Sequence, residues 1–346
     1  MSSPASSVPA EPQPAEQLMQ FATGYIVSSA LHGVTALNIP DLLKSGSKSI
    51  AELAATTGSN EDALYRVMRA LASIGIFKEN PARTFSLTPV SEALCADAQN
   101  SMRDMALWLT DPFHFEVYAE LGHSIRTGET VPEKIYGLSC FDYLAKDKEV
   151  GDRFNNAMTG FSAMVVAAAL DEYDFSWLAG KTLVDIAGGH GRVITEILKK
   201  HPDVHGVLFD LEHVVAGAKP RIESQGLSGR CAVAHGDFFK AVPEADAYVM
   251  KHIIHDWDDE RALLILKNIH RAARPGARVV LFEAVLTSGN EPHFAKWIDI
   301  EMLVLPGGRE RTEQEYRKLF ADAGFKVTKI LSTKSPLNVI EAVLKS

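Results

Sequence analysis

The sequence predicts an α/β protein in which a doubly wound C-terminal domain follows a mostly helical domain carrying a winged-helix pattern. Three observations support this. From Thr182 onward, short apolar strands alternate with amphipathic helical stretches: TLVDIA, VITEILKKH, GVLFDL, CAVAHGD, AYVMK, RALLILKNIHRAA and RVVLFEAVL. Upstream of residue 170, apolar residues recur at helical spacing. A chain of 346 residues exceeds the roughly 100–200 of one domain, and its 46% hydrophobic content supplies two cores.

Residues 1–15 are rich in Ser, Pro and Ala and lack a basic start followed by an apolar core, so they read as a disordered tail. No apolar run reaches the length of about 18 residues that would mark a membrane span. The helical domain is expected over 16–170. Met19 to Leu43 follows a helical period, and SIAELAATTGSNEDALYRVMRALASIGIFKEN holds two short helices around a Thr-Gly-Ser-Asn turn. RTFSLTPVSEAL then adds a β-rich stretch, which completes a winged-helix pattern over Ser49 to Ala93.

Such a pattern can contact DNA or serve as scaffold. Its second helix carries only Arg66 and Arg69 as cations, while Leu64, Val67, Met68 and Leu71 suit packing, so scaffold is the expectation. Met102 to Leu170 is helical and studded with aromatics, among them Trp108, Phe115, Tyr136, Phe154 and Phe161, fit for core or for the wall of an aromatic pocket. The strand-and-helix alternation is expected over 171–346, as a parallel sheet with helices on both faces.

Acidic residues outnumber basic ones by 44 to 35, for a net charge of -9, and no basic run stands out, so neither nucleic acid nor membrane is an expected partner. Cys95, Cys140 and Cys231 are odd in number and far apart. They build no disulfide framework and suit a reducing cytoplasm.

The chemistry concentrates in the second domain. Val184 to Gly191, reading VDIAGGHG, follows a strand and opens a helix, where glycines let the backbone pass close to a ligand. Asp210 ends the next strand, 23 residues after Ala187, where a carboxylate accepts hydrogen bonds from both hydroxyls of a ribose. His235-Gly236-Asp237-Phe238-Phe239 then sets a carboxylate beside an aromatic at a strand end, suited to the amino group and ring face of adenine. Taken alone, Asp237 reads equally as a turn residue. Together the three segments favour S-adenosylmethionine over a dinucleotide.

With Met250-Lys251-His252-Ile253-Ile254-His255-Asp256-Trp257-Asp258-Asp259-Glu260 added, the chain from Thr182 onward resembles the small-molecule O-methyltransferases of the caffeic-acid and hydroxyindole type. The resemblance extends more loosely to the N-terminal half, where that family has a winged-helix dimerisation domain. It implies a Rossmann-like methyltransferase domain, a homodimer, S-adenosyl-L-methionine as cofactor and a small aromatic acceptor. His255 is then the general base, flanked by Glu283 and Glu310. Ala187, Gly188, Gly189, Asp210, Leu211, Asp237, Phe238 and Lys251 form the cofactor series. Trp297 to Gly308 lines the acceptor pocket, for which Met302, Leu305, Met158, Phe161 and Trp257 are the candidates.

The physical case supports these roles. A phenol of pKa near 10 is a poor nucleophile at neutral pH, and an imidazole of pKa about 6.5 can take its proton as attack develops. A carboxylate on one imidazole nitrogen fixes the tautomer, and either Glu283 or Glu310 can fill that post. The sulfonium donor is already primed to leave, so no metal is needed. His252 and His255 sit three apart, but there is no HExxH motif and no third ligand with convincing spacing.

Two features depart from the family. Ala187 replaces the first glycine of the turn, which a negative φ would accommodate. FNNAMTGF, over 154–161, lacks the polar residues that the phenylpropanoid enzymes carry after the Met, so the acceptor stays open. The rival readings are methylation of nitrogen or of an alkyl hydroxyl, and a winged-helix regulator with a metabolite-sensing α/β domain.

Overall fold

The computed structural model describes residues 13–345. The expected tail therefore falls mostly outside the described residues, and a helix, Pro14–Ala22, begins within its last positions. The chain forms two compact units that divide between His114 and Phe115.

In the first unit, Ile50–Thr57 and Glu61–Ser73 form a helix pair, and Lys48–Ser49, Thr84–Leu87 and Phe77–Asn80 pair as an antiparallel sheet in that spatial order. Local chemistry sets the helix ends. Ser49 and Glu52 form a reciprocal capping box, Gly58 closes the first helix at φ 67°, and the Asn60 side chain accepts from the Ala63 N–H. Leu53, Leu64, Met68, Leu71, Phe77 and Phe85 make the core. By contrast, Pro14–Ala22 buries none of its residues, and Leu18, Met19, Phe21 and Tyr25 face outward.

The second unit is built on a seven-stranded sheet. Its strands are β1 (Thr182–Ile186), β2 (His205–Asp210), β3 (Cys231–His235), β4 (Ala245–Lys251), β5 (Ala273–Glu283), β6 (Phe325–Ser332) and β7 (Asn338–Leu344), in the order β6-β7-β5-β4-β1-β2-β3. Each interior strand is apolar on both faces, as a covered parallel sheet requires. Leu183, Val249 and Phe282 join one core with helices α1 (Lys148–Glu172) and α2 (Arg192–Lys200). Val184, Met250 and Leu281 join the other with α3 (Asp259–Ala272) and α4 (Glu313–Asp322).

The expected all-parallel sheet is corrected by β7, which runs antiparallel to both β5 and β6. Only Thr333–Leu337 joins β6 to β7. A parallel crossover needs a dozen or more residues, so the pair closes as a hairpin.

The strand order places the chemistry. The chain steps outward from β1 to β2 to β3, then returns to lay β4 on the other side of β1. Such a reversal opens a crevice at the carboxyl ends of the strands. Asp210, Lys251 and Glu283 are the last residues of β2, β4 and β5, and Ala187 directly follows β1.

Gly206 lets α2 press against β2, because a methyl there would lie 2.7 Å from both Ile194 Cδ1 and Leu198 Cδ1. Gly206→Val should therefore cost about 1–3 kcal/mol through overpacking. The expected result is a lower urea midpoint in a denaturation series followed by tryptophan fluorescence; an unchanged midpoint would show that the helix can give way.

Candidate active site

Asp185, inside β1, is buried and accepts from the Ile194 N–H at 3.1 Å, which ties the strand to the start of α2. Burial pushes its carboxyl up to about 7. Between these anchors the turn runs close to its surroundings. A methyl on Gly188 would meet Asp185 Oδ2 at 2.6 Å, Gly189 has φ 57°, and Gly191 has φ 77°.

Ala187 corrects one expectation. Its φ is 53°, in the left-handed region, not negative. The alanine thus carries strain of order 1–2 kcal/mol, and its N–H donates to the Phe209 carbonyl at 2.8 Å.

Asp210 is oriented from both sides: Gly189 N–H donates to Oδ2 at 2.8 Å and Leu211 N–H to Oδ1 at 2.7 Å. Each oxygen keeps a further lone pair for a ligand hydroxyl. Asp237 Oδ1 accepts from the Phe239 N–H at 2.9 Å, so its turn role is realised, and the other oxygen lies 3.4 Å from Lys240 Nζ. The Phe238 carbonyl accepts from Asn268 Nδ2 at 2.8 Å. Lys251 is held by burial below its ordinary pKa, with Glu283, Asp256 and Asp185 pulling the other way. The narrow glycine approach at Gly188 and the doubly anchored Asp210 fit a nucleoside cofactor.

His255 lies on the turn that follows β4 and is 4% exposed. Its Nδ1 is 2.7 Å from Glu310 Oε1, and its Nε2 is 3.4 Å from Asp256 Oδ1. Glu283, the other candidate partner, does a different job: its Oε1 accepts from the Ile253 and Ile254 N–H groups at 2.9 and 2.8 Å, shaping the turn rather than the ring. Burial alone would push the His255 pKa down, but Glu310, Asp256 and Glu283 outweigh it and carry it up to about 10. Burial also raises Glu283 to about 7 and Asp256 to about 6.

Several residues that sequence reasoning passed over hold this arrangement. Arg311, wholly buried, donates to the Ile254 carbonyl at 3.0 Å, the Trp257 carbonyl at 2.8 Å and Asp259 Oδ1 at 3.0 and 2.8 Å, clamping the histidine turn to the residue beside Glu310. The Arg309 N–H donates to the His255 carbonyl at 2.8 Å. A methyl on Gly308 would overlap that carbonyl and the Asp256–Trp257 peptide. Asp299 accepts the Glu310 N–H at 2.8 Å. Arg311–Thr312 pairs in parallel with Val285–Leu286, which brings the stretch after Glu310 alongside the stretch after Glu283. The signal for this was contiguity: PGGRERT carries the glycine, the arginines and the glutamate together.

Of the pocket candidates, Phe161 on α1 has its ring centroid 5.3 Å from that of His252, with Lys251 Nζ 5.8 Å from the same ring. Trp257 packs on Phe239, Phe238 and Phe141 at 4.8, 6.0 and 5.9 Å. Met302 and Leu305 are buried at the end of the helix Ala295–Val304, and Met158 is half-buried one turn before Phe161.

The chain matches an O-methyltransferase domain over residues 118–326 and an O-methyltransferase dimerisation domain over 19–97. It is 41% identical over 326 residues to the phenazine O-methyltransferase PhzM of Lysobacter antibioticus, covering 94% of this chain and 95% of that one. It is 34% identical over 332 residues to the 8-amino-8-demethylriboflavin N,N-dimethyltransferase of Streptomyces davaonensis, covering 94% of each. Among solved structures, CalO1, a methyltransferase in calicheamicin biosynthesis in its SAH-bound form, superposes with a TM-score of 0.86 at 32% identity, over 97% of this chain and 100% of that one. The Asp210 cradle, the shared fold and these matches over nearly the whole chain place it in the S-adenosylmethionine-dependent O-methyltransferase family.

Proposed function

We propose that the enzyme methylates a hydroxyl of a small aromatic acceptor, phenolic, catecholic or polyketide-derived, with His255 as general base and Glu310 holding the imidazole. The observation that carries this reading is the buried contact between His255 Nδ1 and Glu310 Oε1, which leaves Nε2 as the nitrogen able to take a proton. The neighbouring carboxylates raise the proton affinity of His255, which favours transfer of the acceptor's proton to it. Asp210, Leu211, Asp237, Phe238, Lys251 and the turn Ala187–Gly189 would hold S-adenosyl-L-methionine, which supplies an electrophilic methyl group on a sulfonium. Phe161, Trp257, Met158, Met302 and Leu305 would wall the acceptor and exclude water.

The same geometry argues against nitrogen as the preferred target, because an amine needs less help losing a proton. The first unit serves as a winged-helix dimerisation scaffold in this reading. Leu18, Met19, Phe21 and Tyr25 offer an apolar face that a second copy would cover, while Arg69 and Arg83 lie over the Tyr65 ring at 5.5 and 4.4 Å, a packing arrangement that supports scaffold over groove reading. The three buried free thiols support a reducing compartment such as the cytoplasm.

Replacing His255 by Ala should lower kcat by about 10²–10⁴-fold while leaving S-adenosylmethionine affinity, measured by calorimetry, nearly intact; full turnover by the variant would remove the base assignment. Because the base must be unprotonated and its pKa is raised, kcat/KM should climb with pH through a midpoint above the usual imidazole value of about 6.5. Glu310→Gln should move that climb to lower pH and lower the plateau, whereas a profile identical to wild type would show that Glu310 does not act on the ring. Phe21→Glu should shift the protein from dimer to monomer in light scattering, and a dimer unchanged by it would place the interface elsewhere.

A further inference from the structure

His252 has no part in the mechanism above, yet it combines a strained backbone with an unmet buried polar atom. Its φ is 52°, a left-handed backbone that a histidine adopts rarely. Its Nε2 is buried without a hydrogen-bond partner among the described residues, and an unmet buried donor or acceptor is costly. Its ring is held between Phe161, at 5.3 Å between centroids, and His255, at 4.2 Å. Glu283 repeats the pattern, with Oε1 satisfied by two backbone donors and Oε2 buried without a partner. A side chain retained for packing alone would not bring strain and an unmet polar atom together, and such outliers gather where a ligand completes the site.

His252, His255 and Glu283 each offer a nitrogen or oxygen within 4.8 Å of the others. Two oxygens on neighbouring ring carbons lie about as far apart as a hydrogen-bonded pair, near 2.8 Å, so one can face His255 while the other faces His252 and Glu283. We propose that His252 and Glu283 form a second acceptor subsite that holds a hydroxyl, amine or carbonyl oxygen on the ring carbon next to the one bearing the reacting hydroxyl.

The proposal rests on the assignment of His255 as base and adds the class of acceptor. Burial, with His255 and Lys251 nearby, keeps His252 neutral, so it offers one donor and one acceptor nitrogen. Glu283, raised to about 7 by burial, can accept from or donate to the same substituent. A divalent cation is the competing occupant of three such groups. It is disfavoured because His255 Nδ1 is already engaged by Glu310 Oε1 and Lys251 adjoins His252 in the chain.

Naphthalene-2,3-diol and 2-naphthol make a matched pair for the test. Their dissociation constants on the enzyme loaded with S-adenosylhomocysteine are measured by calorimetry, and kcat/KM for each is measured with S-adenosylmethionine. Wild type should favour the diol by about tenfold or more, the worth of one good hydrogen bond. His252→Asn tolerates the left-handed backbone but is too short to reach, and should compress the preference to about threefold or less; His252→Gln should restore part of it. Absence of a preference in wild type, or a preference that survives His252→Asn, overturns the proposal. It is equally overturned if zinc chloride alone binds wild type stoichiometrically and His252→Asn removes that binding while sparing the diol preference. Failure of the base assignment reads differently: His255→Ala would then turn over both members, whatever the binding preference shows.

Discussion

The second unit is organised around one buried contact, between His255 Nδ1 and Glu310 Oε1. Two groups this deeply buried are costly to desolvate, and their attraction repays that cost only when the geometry is fixed. The fixing comes from contacts to backbone groups on both sides of the pair. Arg311 reaches the Ile254 and Trp257 carbonyls from the residue adjoining Glu310, Arg309 takes the His255 carbonyl, and Asp299 takes the Glu310 N–H. Gly308 is then obligatory, since only a residue without Cβ lets the loop press against the histidine turn. The ends of β4 and β5 and the Pro-Gly loop are thereby locked to one another, although they lie far apart in the chain.

Strain collects along the same edge of the sheet. Ala187 and His252 are both left-handed, and Glu283 Oε2, Glu310 Oε2 and Trp257 Nε1 are buried without partners among the described residues. The two cores of this unit are closely packed, with Leu183, Val184, Val249, Met250 and Leu281 wholly buried. A fold can carry a few such local costs because its cores hold a surplus. Ala187 and His252 directly follow β1 and β4, and Glu283 ends β5, so these costs fall at the carboxyl ends of the strands.

Much of this was legible in the sequence for definite reasons. Strands buried on both faces read as apolar runs, so β1 to β5 were visible, and the glycine turn, Asp210 and the HIIHDW segment were visible because their residue types are chemically unusual at strand ends. The direction of β7 was not legible from periodicity, which is the same for a parallel and an antiparallel strand; only the short Thr333–Leu337 connection decides it. The sign of φ at Ala187 was missed because alanine usually avoids that region, and a local reading has no way to register the Phe209 carbonyl, two strands' worth of chain away, that holds it there. The division of labour between Glu283 and Glu310 was beyond the sequence as well, since spacing alone gives both an equal claim on His255.

That division carries the electrostatic logic of the site. Two glutamates bonded to the ring would stabilise the imidazolium further than one does. Glu283 instead spends one oxygen on two backbone donors, and burial lifts its pKa to about 7, which reduces its charge near neutral pH. Among the described residues, Glu310 is the carboxylate hydrogen-bonded to the ring, while Asp256 stands farther off at 3.4 Å from Nε2. The histidine is thus raised in proton affinity by its surroundings and oriented at Nδ1 by a single hydrogen-bonded partner, while Nε2 faces Asp256.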